Sequence, residues 1–135
     1  MVKVVQKCAG IGLAIAMLCG CATQTIQSRK QERYAAYSAL SPEMRDAVDR
    51  GTIKVGMPMD AVYIAWGNPS QTTSGGNANG EVTTWLYNGD YLATTTYFGW
   101  RRTYYAYTPI YYIRAKVDFV NGVVKEWHTF PAPPY

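Results

Sequence analysis

Thiols, imidazoles and long apolar runs are scarce in this chain of 135 residues, and each shortage closes off a class of function. The 3 cysteines, Cys8, Cys19 and Cys21, all fall within the first 21 positions. From Ala22 onward there is therefore no disulfide, thiolate metal site or cysteine nucleophile. The single histidine, His128, stands among strand residues beside Trp127, where a lone imidazole is ordinarily structural. The 9 carboxylates are scattered, so no acid, base and nucleophile converge in the sequence. No HExxH, GxSxG, phosphate-loop or calcium-loop pattern occurs. The glycines from Gly75 to Gly80 lack the Lys and Ser/Thr of a phosphate cradle and read as a flexible connection. These absences point away from an enzyme and imply neither cofactor nor metal. The formal charge of +4 includes Lys3 and Lys7, and without them it falls to +2, which gives no footprint for nucleic acid.

What is present begins at the N-terminus. Lys3 and Lys7 precede an apolar stretch from Cys8 to Leu18, the layout of a secretory signal. Through Cys21 that stretch is 14 residues, shorter than the roughly 17 to 25 needed to cross a bilayer. It ends in Leu18, Cys19, Gly20 and Cys21, which resembles the lipobox of bacterial lipoproteins. The resemblance implies cleavage before Cys21, lipid on its thiol, and a domain anchored by two or three acyl chains without spanning. The alternative is an ordinary signal peptide whose cysteines are small apolar residues. Ala22, rather than an aspartate, follows the cysteine, and by resemblance to sorted lipoproteins this favours the outer membrane with the domain facing the periplasm.

Four segments are expected: a removed signal at 1–20, an anchor and tether at 21–40 that could become partly helical, one α+β domain at 41–131, and a tail at 132–135. Within the domain, Ser41 and Pro42 form an N-cap and N1 pair, and the spacing predicts a helix from Pro42 to Arg50 ended by Gly51. A second, more buried helix is expected from near Pro58 to Gly67. Ser70 to Gly80 has no large apolar residue and is expected to be a loop. Val82 to Tyr87 reads as a strand that turns at Asn88 and Gly89 into a second strand, Asp90 to Phe98. Ala115, Val117 and Phe119 alternate with polar residues, turn at Asn121 and Gly122, and return as Val123 to Phe130. Two helices packed on one face of an antiparallel sheet of three to four strands is the fold class that follows.

One pattern goes further. Gly51, Ile53, Gly56, Met57, Val62, Gly67 and Pro69, followed by Trp85 and Tyr87, resembles the BamE (SmpA/OmlA) family of small outer-membrane lipoproteins. That resemblance implies a lipobox, a tether, two helices and a three-stranded sheet, with a role in outer-membrane protein assembly. Pro58 stands where the family often has a Thr or Ser cap, and Trp66 where it often has Leu. The stretch from Tyr91 to Tyr112 is longer than the family's connection and carries seven tyrosines, Phe98 and Trp100. Within it, Trp100, Arg101, Arg102, Tyr104, Tyr105 and Tyr107 form the one candidate binding surface. Tyrosines there either cover a sheet as good strand residues or form an interface with an envelope protein, a glycan or lipid. The expected function is a non-enzymatic anchored binding module supporting envelope assembly. The alternative is an envelope lipoprotein that grips peptidoglycan, another glycan or a hydrolase.

Overall fold

A computed structural model describes residues 24–134. Leu18, Cys19, Gly20 and Cys21 lie outside the described residues. The described part is α+β, with four short helices and one four-stranded antiparallel sheet. In chain order come α1 (Ile26–Glu32), α2 (Tyr34–Ser38), α3 (Pro42–Asp49), α4 (Met59–Trp66), β1 (Gln71–Asn77), β2 (Gly80–Phe98), β3 (Thr103–Val120) and β4 (Val123–Thr129). The strands form a meander in sequence order, and each pairs antiparallel with the next.

The two helices expected between 42 and 67 form where their end signals place them. Ser41 accepts from the Met44 backbone N–H at 3.3 Å, and Pro42 opens α3. Gly51 and Gly67, at φ 66° and 85°, follow α3 and α4 in a conformation that a Cβ disfavours. Ala61 through Ala65 are all buried, because α4 lies between the sheet and the other helices. Its sheet-side partners are Trp85, Tyr87, Val117 and Phe119, and Trp85 meets Phe119 edge-on at 4.9 Å. Ile53, Met57 and Val62 are buried in this core, and Gly56 and Met57 exchange backbone hydrogen bonds of 2.8 Å with Val124 on β4. The residues of the fold pattern are therefore packing and turn residues.

Residues 26–38, in the segment expected to be a tether, form two helices that dock on the domain through Arg29. Its guanidinium is buried, and Nε donates to the Ile64 carbonyl at 2.9 Å while Nη2 donates to that of Ala65 at 3.2 Å. These are carbonyls of the last turn of α4, which have no partner within the helix. Nη1 donates to the Gln24 carbonyl, and the absence of a Cβ at Gly67 leaves room for the same guanidinium, whose nearest atom would lie 3.4 Å from it. Tyr63 donates to Glu32 at 2.8 Å, and Arg33 reaches Asp60 at 3.1 Å. Lys30 bridges to Asp49 on α3 at 2.7 Å.

Two strand expectations are corrected. Residues Gln71–Asn77, expected in a loop, are an edge strand in register from Gln71↔Leu86 to Asn77↔Gly80. An edge strand needs no buried side chain, so a Thr- and Ser-bearing run serves once β2 supplies hydrogen bonds. Asn88 and Gly89 do not turn. Neither has positive φ, and β2 runs through them to Phe98, with a bulge where Arg114 is the extra residue opposite Tyr87 and Asn88. The ring of Tyr112 crosses Gly89, where a Cβ would come within 2.8 Å of it. This glycine thus serves a close side-chain approach in a strand. The turn expected at Asn121 and Gly122 is present, with φ of 50° and 80°.

Arg29→Met should destabilise the domain by about 2 to 4 kcal/mol in urea unfolding, because buried carbonyls of α4 lose their donors. Arg29→Lys should recover only part, since a single ammonium cannot reproduce the guanidinium fork. The hydrogen bond from Lys30 holds the Asp49 carboxyl below its ordinary range, and hydrogen bonds to Asp49 and then Tyr37 raise Lys30. The Asp49 contribution is present above the ordinary carboxylate value and lost as pH falls through its lowered one; that of Lys30 is lost as pH rises through its raised one. Protection of the 26–32 amides, relative to the unprotected rate at each pH, should therefore be greatest between those limits. Asp49→Asn should lower that protection and flatten the acid side of its profile.

Candidate functional site

Beyond the bulge, β2 and β3 leave the helices and continue as a two-stranded ribbon, from Asn88↔Ile113 to Phe98↔Thr103. At a rise near 3.4 Å per residue this ribbon is roughly 35 Å long. Gly99 donates to the Arg102 carbonyl at 2.8 Å, closing the tip around Trp100 and Arg101. The composition suits a strand: threonine and tyrosine dominate, and from Tyr91 to Ile113 the only charges are Arg101 and Arg102.

Register assigns the side chains to faces, because directly paired residues of antiparallel strands share one. Leu92, Thr94, Thr96 and Phe98 share a face with Tyr105, Tyr107 and Pro109. The other face carries Tyr91, Tyr97, Tyr104 and Tyr112, and there the rings of Tyr91 and Tyr112 lie 6.2 Å apart. Phe98 is 86% exposed and Trp100 is 94% exposed. The Arg101 guanidinium lies 5.2 Å from the Trp100 ring centre, so the tip presents an aromatic plane with a cation over it.

All six residues singled out in the sequence lie on this ribbon, but not on one surface. Trp100, Arg101 and Arg102 form the tip, Tyr104 lies on one face, and Tyr105 and Tyr107 lie on the other. Left out of those six were three exposed residues of β2: Tyr97, which pairs with Tyr104, and Leu92 and Phe98, which share a face with Tyr105 and Tyr107. A matching signal existed in the strand-favouring Thr and Tyr residues on both sides of Gly99. Reading a turn at Asn88 and Gly89 folded the first half back on Val82–Tyr87 instead.

Elsewhere the chemistry is sparse. His128 stacks on Phe130 with ring centres 6.4 Å apart on β4 and its exit. Among the described residues no three His, Cys, Asp or Glu side chains gather as metal ligands. A cavity of about 420 Å³ beside Trp66 and Arg114 is open to solvent and offers one cation. Burial raises the Tyr87 hydroxyl above its ordinary range, and this hydroxyl donates to the Gly67 carbonyl at 3.1 Å, a structural hydrogen bond rather than a poised acid. The ribbon can bury aromatic area, donate hydroxyls and pair its backbone at an edge. Among the described residues, no helix is long and apolar enough to cross a membrane. No family model matches the chain, and searches of curated proteins and solved structures give no match.

Because Trp100, Tyr105 and Tyr107 touch little of the core, alanine at each should change unfolding free energy by less than about 0.5 kcal/mol. By contrast, Trp85→Ala should cost about 3 to 5 kcal/mol in the same titration, since its ring fills the space between α4 and Phe119.

Proposed function

We propose that this chain is a non-enzymatic, lipid-anchored binding module of the outer membrane, facing the periplasm, whose working surface is the aromatic ribbon. The observation that carries the reading is a charge-poor ribbon of exposed Trp, Phe and Tyr on a domain whose core is complete without it. Rings left in water by folding are available to a partner, and tyrosine, tryptophan and arginine are the residues on which interfaces concentrate. The anchor rests on the lipobox-like Leu18–Cys21. Ile26 lies five positions beyond Cys21, a reach of at most roughly 18 Å, so the anchor would hold the domain close to the bilayer.

The favoured partner is an envelope protein, and the resemblance to the BamE family makes the barrel-assembly machinery the first one to test. A photoreactive residue at Tyr105 or Tyr107 in intact cells should crosslink to an envelope protein. Purification from solubilised membranes should retain assembly subunits if that machinery is the partner. If known subunits survive the procedure and none accompanies this chain, the assembly role is wrong. Should the crosslink return only this chain, the envelope-partner reading fails with it.

The exposed Trp100 plane favours a second reading, stacking on a sugar of peptidoglycan or another glycan. Sedimentation with purified cell wall that is lost in Trp100→Ala and Arg101→Ala would support it. A wild-type chain that stays in the supernatant would end it.

A further inference from the structure

The two long edges of the ribbon differ, and the difference points to a second copy of this chain. Gly99 and Arg102 form a hydrogen-bonded pair, and bonded and non-bonded pairs alternate along an antiparallel ladder. Leu92, Thr94, Thr96 and Phe98 therefore fall in the non-bonded pairs and turn their backbone N–H and C=O groups away from β3. Pro109, opposite Leu92, falls in the same class on β3, so the outer edge of β3 lacks a donor there. Pro131 and Pro133 of the tail line a hollow with Leu86, Tyr112 and Ile113, and Pro134 lines another with Leu92, Thr94 and Ile110. Pro109 thus interrupts the β3 edge, whereas the β2 edge from Leu92 to Phe98 has no proline, glycine or charge of its own. Pairing of β1 with β2 stops at Leu86, and among the described residues no other strand reaches that edge. An uncharged edge of this length is a template for another strand.

We propose that two copies join antiparallel along this edge, about a two-fold axis at Thr94, into a four-stranded ribbon. Charge selects a copy of the same chain. Asp90 is the only acid between Asn88 and Arg114, and it lies at the base of the ribbon, while Arg101 and Arg102 lie at the tip. Antiparallel pairing about Thr94 sets Leu92 opposite Thr96 of the second copy and Asp90 opposite its Phe98. Each acid then meets the other tip's arginines, twice by symmetry. Leu92, Tyr97, Phe98 and Trp100 are each more than half exposed, and together they offer on the order of 500 Å² of apolar surface, against about 800 Å² per partner in a stable interface. Edge hydrogen bonds and the tip contacts extend that footprint. The inference does not depend on the anchor or on any envelope partner, and its test reads mass rather than capture.

Sedimentation equilibrium of the full chain in mild detergent should give a dimer. Thr94→Pro removes only an outward donor, and it should raise the dimer dissociation constant by about tenfold or more with circular dichroism unchanged. Thr96→Lys should do the same if the proline variant folds poorly. Asp90→Arg alone, and Arg101→Glu with Arg102→Glu, should each weaken the dimer about tenfold, and the triple variant should restore it. A monomer at all concentrations overturns the proposal, as does a dimer indifferent to these substitutions. A monomer that floats with phosphatidylglycerol-containing vesicles and loses this in Thr96→Lys assigns the edge to lipid, which also overturns it. So does a monomer whose outward Leu92, Thr94, Thr96 and Phe98 amides are protected from exchange by the segment before Gln24.

Discussion

A mismatch of lengths governs this structure. Helix α4 has 8 residues and covers about 12 Å, whereas β2 has 19 residues and runs for about 60 Å. The central strands are therefore divided into a part with a helical cover and a part without one. In the covered part, Trp85 and Tyr87 alternate with more exposed neighbours, and Val117 and Phe119 complete the packing. The bulge opposite Arg114 falls at the boundary, where buried alternation ends and a ribbon with solvent on both faces begins. On the binding-module reading, folding and recognition are thus separated along the same two strands. The core can be fixed while the ribbon varies, because the two share backbone pairing but few side-chain contacts.

Arg29 decides how the N-terminal segment relates to that division. Without it, α1 would be a 7-residue helix, too short to persist alone. The guanidinium converts it into part of the domain by satisfying carbonyls at the end of α4, and Glu32, Arg33 and Lys30 add contacts to α4 and α3. That same end of α4 leads to Gly67, whose carbonyl receives the Tyr87 hydroxyl at the last buried position of β2 before the ribbon. A chain of hydrogen bonds therefore runs from the first described helix, through the end of α4, to the base of the exposed ribbon. On the lipoprotein reading, this ties the helices that follow the anchor to the base of the binding surface.

The helices and the final hairpin were legible in sequence because local chemistry decides them. Ser41 and Pro42 start α3, Gly67 ends α4, and Asn121 with Gly122 can hardly avoid a tight turn when strands of matched alternation flank them. What misled was chemistry decided by distant partners. Asn88 and Gly89 carry the same dipeptide as the true turn, yet Gly89 is required for Tyr112, whose position in the sheet no short window reveals. Gln71–Ser74 looks like a loop until β2 offers it an edge. Arg29 looks like a solvated helix charge, because the carbonyls that bury it lie 35 and 36 residues away. The aromatic surface was found by composition alone, and its division between two faces and a tip awaited the register.

A two-stranded ribbon with water on both faces is marginal by itself, and this one gains little from helices. It must draw order from the sheet at its base, from cross-strand pairs of β-branched and aromatic residues, or from whatever it binds. Charges would keep it soluble and apart from other strands, but none occurs between Tyr91 and Trp100. Within the ribbon's own strands a proline performs that service on one side only, at Pro109. Protection of one edge beside an open one is not what general resistance to aggregation would produce. It is what a ribbon requires if it is to add strands on one side and stop, leaving both aromatic faces for a further partner.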